Sequence, residues 1–210
     1  MRHNVLSSVI GQRRSIRRYY PARIGTRIIE RLLRAAAQAP SAHNRQPWRF
    51  VVLQDRDSRE MLAAAMGERL RQDRSNDHDD PQAIEADISR SYARLSAAPA
   101  VILVCLDMRD MDTYPDERRR KAEYLMATQS LAMATQNLLL AAEQERLGAC
   151  IMCAPLFCPD TVVAKLALPQ TWEPQMLVTL GRPANPGRAR SRMPLSQITL
   201  WWKAPTQQAR

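Results

Sequence analysis

Apolar residues recur at helical spacing over residues 26–38, where Ile28, Ile29, Leu32, Leu33 and Ala36 share one face. Thr26 is the expected N-cap and Pro40 the stop. A shorter helix is expected at 5–14, and two more at 57–72 and 82–96, separated by the polar loop S-N-D-H-D-D-P at 75–81. A strand is expected at 48–54 (W-R-F-V-V-L-Q), and an unbroken apolar run of strand length occurs at 101–106 (V-I-L-V-C-L). Residues 116–146 hold neither Pro nor Gly and are rich in Ala, Leu, Met and Glu. They predict one helix of about 30 residues, about 45 Å long at 1.5 Å per residue. A helix so long, and so apolar in its second half, needs cover on most sides, which suits a central or subunit-interface position. Gly148 is its expected C-cap. A strand at 149–154, a helix at 159–167 and a strand at 175–181 follow. A Pro- and Arg-rich loop at 182–194 leads to an extended segment at 195–202 that ends on Trp201 and Trp202. Two exposed tryptophans are costly, so this segment is expected to dock on a surface such as a partner chain. Four or five strands mixed with helices, without an internal boundary, predict one α+β or α/β domain spanning 1–210.

Composition narrows the chemistry. Only 6 of the 210 residues are glycine, below the usual share of about 7%. Neither a dinucleotide-binding G-x-G-x-x-G nor a P-loop is present. The longest apolar run, 97–106, is interrupted by Pro99 and is too short to span a bilayer. No signal-peptide pattern precedes residue 9, so a soluble cytoplasmic protein with no membrane partner is expected. Net charge is +10, and only Lys121, Lys165 and Lys203 among the 31 basic residues are lysine. Arginine therefore carries the charge, and its planar fork suits phosphate and carboxylate groups. The arginines are spread along the chain and aromatics are 5%, which argues against a nucleic-acid partner. Cys150 and Cys153 form a C-x-x-C, but positions three apart on a strand face opposite sides and no second ligand pair is present, so no metal site is expected.

Three segments carry candidate chemistry. Arg13-Arg14-Ser15-Ile16-Arg17 offers three guanidinium forks and a hydroxyl within five residues. The segment 39–48, A-P-S-A-H-N-R-Q-P-W, is a polar loop stiffened by two prolines. Arg190-Ser191-Arg192-Met193-Pro194 offers a second basic pair near the other end of the chain.

With these segments in order, the chain resembles the FMN-dependent nitroreductases. The R-[RH]-S-x-[RK] start lies at 13–17 and A-P-S-x-x-N-x-Q-P-W-x-F at 39–50. The end of the long helix matches at Gln136 to Ala142 and Leu147-Gly148, and the late basic pair at Arg190 and Arg192. The segments Y-P-D-E-R-R-R at 114–120 and W-E-P at 172–174 also resemble the nitroreductase-like domain attached to the ligase that glutamylates the deazaflavin coenzyme.

The resemblance implies an α+β, three-layer fold with a central mixed sheet, a long interface helix and a C-terminal extension onto a partner subunit. It implies a homodimer with FMN at the interface, reduced by NAD(P)H and reoxidised by a quinone, nitroaromatic or conjugated electrophile. A specialised dehydrogenase, a coenzyme-tailoring reductase and a flavin carrier without turnover stay open. Carried over by position, Arg13, Arg14, Ser15, Arg17, Arg190 and Arg192 contact FMN, with Arg94 near its pyrimidine end. Pro40, Ser41, Ala42 and Asn44 come from the other subunit. Cys153 and Ala154 lie where a backbone N–H meets the flavin. Many nitroreductases have an acidic residue and a glycine where Pro155 and Leu156 align, and proline has no N–H to give. No catalytic side chain is implied, because the flavin carries the redox chemistry.

Overall fold

The computed structural model describes residues 5–203. Four strands form one sheet in the order β1, β2, β4, β3: β1 is Trp48–Leu53, β2 Ala100–Asp107, β3 Gly148–Met152 and β4 Trp172–Gly181. Every pairing within the sheet is antiparallel, so the expected mixed sheet is corrected. Parallel pairing among the described residues is confined to an isolated bridge between Ser15 and Ala149 at the β3 edge.

Helices α1 (Val5–Gln12), α2 (Thr26–Ala37), α3 (Arg56–Asn76), α4 (Pro81–Ser96), α5 (Glu117–Gln144), α6 (Pro159–Leu166) and α7 (Leu195–Ile198) are the α-helices of the described residues. The central strand β2 explains the layering. Its residues are buried throughout. Ala100, Ile102, Val104 and Leu106 pack with α2 and α5, whereas Val101, Leu103 and Cys105 pack with α3 and α6. A strand covered on both faces reads as a continuous apolar run, which is why V-I-L-V-C-L stands out. The result is the expected three-layer α+β arrangement. Burial raises the Cys105 thiol pKa to about 12, so it stays protonated and packs as a small apolar group.

Helix ends follow local chemistry more closely than spacing. Asp55, Asp80 and Asp116 cap α3, α4 and α5 by accepting backbone N–H groups of the first turn. The N-cap of α2 is Gly25, not Thr26, which is already helical. Helix α3 runs through the start of the expected polar loop to Asn76. Arg71 bridges Glu68 and Glu85, and Arg74 bridges Asp79 and Asp87, which ties α3 to α4. Helix α5 ends at Gln144, and Arg146 takes the left-handed conformation (φ 57°). Gly148 is therefore not its cap. It opens β3, where a Cβ would stand 2.6 Å from Ile16 Cβ. The expected extended segment 195–202 begins instead with the short α7.

Candidate functional site

The two arginine segments, some 170 residues apart in sequence, meet beside β3. Ile16 is 4% exposed, and its N–H donates to the Ala149 carbonyl at 3.0 Å. Tyr19 anchors the same arm: its hydroxyl lies 2.5 Å from the Ile16 carbonyl and 2.8 Å from Thr179 Oγ1. Burial pushes the Tyr19 pKa well above the ordinary tyrosine value, so this hydroxyl stays protonated and able to donate. The C-terminal arm is stitched on by Tyr20 N–H to the Arg182 carbonyl (2.9 Å) and Ala184 N–H to the Arg18 carbonyl (3.0 Å). Gly187 makes the close approach. It has φ +72°, its N–H donates to Asn185 Oδ1 at 3.1 Å, and a Cβ there would stand 2.7 Å from Ile16 Cδ1 and 3.0 Å from Arg14 Cβ.

These contacts enclose a cavity of about 760 Å³ lined by Arg13, Arg14, Ser15, Arg17, Arg18, Gly187, Arg188, Arg190 and Arg192, among others. No acidic side chain lines it. Among the described residues, none of its seven guanidiniums is paired with a carboxylate. Arg14 bonds the Gly11 and Arg13 carbonyls at the end of α1, and Arg192 bonds the Arg190 carbonyl. Such a concentration of uncompensated positive charge on a fixed backbone is an anion receptor. Sequence reasoning finds its charges but misses Arg18, Tyr19, Asn185, Gly187 and Arg188. Gly187 is detectable only as a glycine in an arginine-rich loop.

Other expected residues are not among those that line this cavity. Burial raises the Cys150 thiol pKa, opposed by the positive charges of Arg17, Arg94 and Arg13. Arg94 lies in the last turn of α4 and does not line the cavity. Cys153 is exposed beyond the end of β3, while Cys150 is buried. Ala154 begins a 3₁₀ turn, Ala154–Phe157, in which Pro155 is buried. The Leu156 N–H is committed to the Cys153 carbonyl at 3.1 Å. Of the amides flanking Pro155, the Ala154 N–H has no backbone acceptor outside regular elements among the described residues. Ala154 also borders a small apolar cavity of about 100 Å³ between α3 and α4.

The loop with Pro40, Ser41, Ala42 and Asn44 does not line the large cavity. It packs on α5, with Ala42 N–H donating to Ser130 Oγ (3.3 Å). His43, Asn44 and Gln46 all have positive φ, a costly arrangement for residues with a Cβ. Ser41 Oγ stabilises it by accepting the Gln46 N–H at 3.1 Å. Arg45 pairs with Asp112 (2.7 Å), whose N–H donates to the buried Glu123. Arg49 donates to the Gln46 carbonyl (3.0 Å) and reaches Asp107 at 3.3 Å. Asp107 is 1% exposed and also receives Arg109 (2.7 Å).

The hydrogen bonds of Arg109 hold the Asp107 carboxyl below its ordinary value, with Arg49 adding to the effect and burial opposing it. A depressed folded-state pKa gives stability that is present above the ordinary carboxylate range and is lost as pH falls through the folded value. Asp107→Asn is therefore expected to cost about 2 kcal/mol at pH 7, and the gap to the parent should close below about pH 4. Urea unfolding of both proteins at pH 7 and at low pH checks this.

The description "Nitroreductase family" fits residues 10–182. The chain belongs to the nitroreductase family. An NADH dehydrogenase of Thermus thermophilus is 30% identical over 90% of this chain and 92% of its own length. A protein of Archaeoglobus fulgidus assigned as an NADH dehydrogenase/NAD(P)H nitroreductase is 33% identical over 64% of this chain and 59% of its own. A Desulfovibrio desulfuricans protein assigned as a nitroreductase, solved in complex with FMN, superposes with a TM-score of 0.74. It is 29% identical, over 97% of this chain and 99% of that one. Within this family, the arginine-walled cavity is the natural place to seek the cofactor.

Proposed function

We propose that the protein is an FMN-dependent oxidoreductase that moves two electrons from NAD(P)H to a quinone, nitroaromatic or conjugated electrophile. One observation carries the reading: in a nitroreductase-family fold, segments 10–18 and 185–192 build a single cavity whose guanidiniums have no carboxylate partners among the described residues. The residues fit the cofactor. A phosphate monoester brings a charge of about −2 at pH 7. Arg13, Arg190 and Arg192 would hold it, with Arg14 and Ser15 along the ribityl chain. Gly187 keeps the wall thin where the two arms touch. Arg17 and Arg94 place positive charge toward the pyrimidine end, which favours an anionic reduced ring. The Ala154 N–H is the backbone donor available toward the ring, since Pro155 has none and Leu156's is used.

FMN, when bound, supplies the redox chemistry, and the chain binds it, orients it and sets the field around it. No side-chain nucleophile or general base is required. His43, exposed on a strained loop, is a conformational element of that loop.

The working unit is a homodimer. In this reading Pro40, Ser41, Ala42 and Asn44 reach the flavin of the partner subunit, which accounts for a strained loop that does not line the large cavity of its own chain. The exposed apolar side chains of α7 and Leu200, Trp201 and Trp202 cover the partner, and α5, with Leu125 and Met133 exposed, contributes to the same interface. No described helix is long and apolar enough to cross a membrane. The enzyme acts in the cytoplasm, where NAD(P)H is supplied and its four cysteines remain thiols.

Steady-state kinetics test the reading. With NAD(P)H and a simple quinone or nitroaromatic, the expected pattern is parallel double-reciprocal lines, as two substrates use one pocket in turn. Turnover no faster than that of free FMN would refute it.

A further inference from the structure

The cavity carries more positive charge than FMN uses. Its phosphate brings about two negative charges, against seven guanidiniums with no acidic side chain in the wall. Arg18 and Arg188 are the clearest surplus. Both line the cavity, both are exposed at its rim, and neither side chain is hydrogen-bonded or ion-paired among the described residues. Their backbones are not free to drift. The Arg18 carbonyl receives the Ala184 N–H at 3.0 Å, and Arg188 follows Gly187, which is packed on Ile16 and Arg14. Two unpaired forks on tethered backbone, at the rim of a site proposed to hold one phosphate, suit a second phosphate monoester.

We infer that Arg18 and Arg188 form a subsite for the 2′-phosphate of the reductant, so the enzyme uses NADPH in preference to NADH. This rests on the flavin reading above. A dinucleotide whose nicotinamide entered the flavin pocket would have to run its phosphates and adenosine out past the exposed arginines of the same cavity. NADPH and NADH differ there only by the 2′-phosphate, which adds about two negative charges. An uncharged 2′-hydroxyl draws little from guanidiniums in solvent, whereas a phosphate gains charge-assisted bonds that salt weakens.

The test uses FMN-loaded protein. In low-salt buffer, kcat/KM with NADPH should exceed that with NADH by about tenfold or more. The ratio should fall as sodium chloride rises, because exposed charges are screened. The double variant Arg18→Gln, Arg188→Gln should bring the ratio to about one, with kcat/KM for NADPH falling by more than that for NADH. Inhibition by 2′,5′-ADP should exceed that by ADP in the parent and not in the variant. A parent ratio of one or less, or a ratio unchanged in the folded double variant, would overturn the assignment. A protein that binds no FMN would overturn the flavin reading instead, so the two failures are distinguishable. If the double variant does not fold, the single variants Arg18→Gln and Arg188→Gln carry the same test, each expected to lower the ratio and an unchanged ratio in both overturning the assignment.

Discussion

Replacing Arg13 and Arg190 together by alanine is expected to strip FMN from the protein while leaving it folded. Each removes a guanidinium from the cavity wall without disturbing the contacts that join the two arms, which run through Ile16, Tyr19, Tyr20, Ala184 and Gly187. A hydrogen bond to a charged group is worth about 1.5–3 kcal/mol, so each single change should weaken FMN binding by about 10- to 150-fold. The double change should approach the sum, about 3–6 kcal/mol, short of full additivity because both face one phosphate. Flavin fluorescence titration of the apoprotein reads both constants, and far-UV circular dichroism checks the fold. Undiminished affinity in the double variant would remove the phosphate assignment.

Changing Trp201 and Trp202 to serine should have the second large effect, on assembly. The two side chains are 86% and 75% exposed in the isolated chain, next to Leu200 at 86%. Three such neighbours in open water form a costly patch. Tryptophans buried in a pocket on a partner are typical hot spots, worth about 2 kcal/mol or more each. A two-fold interface counts every residue twice. Even with strong non-additivity, a loss of about 4 kcal/mol per dimer is expected, which raises the dimer dissociation constant about 1,000-fold. Sedimentation velocity across a concentration series measures it. FMN retention should fall in parallel, since the loop holding Pro40, Ser41, Ala42 and Asn44 would no longer face a flavin. An unchanged dimer would exclude the tail from the interface.

The readable and unreadable parts of this chain differ in kind. Elements whose pattern is local were legible: the β2 apolar run, the Ala- and Leu-rich α5, and the arginine segments, whose order and spacing carry the family resemblance. What joins those segments was not. The bonds from Tyr20 to Arg182 and from Ala184 to Arg18 link positions far apart in sequence, and no local pattern encodes them. Gly148 shows how a sound local rule can mislead. A glycine after a long helix suggests a C-cap, yet Arg146 takes the left-handed conformation, and the glycine is needed because Ile16 leaves no room for a Cβ. Sheet direction was likewise hidden, because a doubly covered strand reads as the same apolar run in parallel and antiparallel pairing. At Pro155 the sequence left two candidate amides, Ala154 and Leu156. The turn geometry engages the Leu156 N–H with the Cys153 carbonyl, a bond that no local pattern announces.

An absorption spectrum of the purified protein, taken before and after anaerobic addition of NADPH, tests the central claim most directly. The account predicts the bands of oxidised flavin, about one FMN per chain, and their bleaching by the nucleotide. A colourless protein that does not take up added FMN would contradict it.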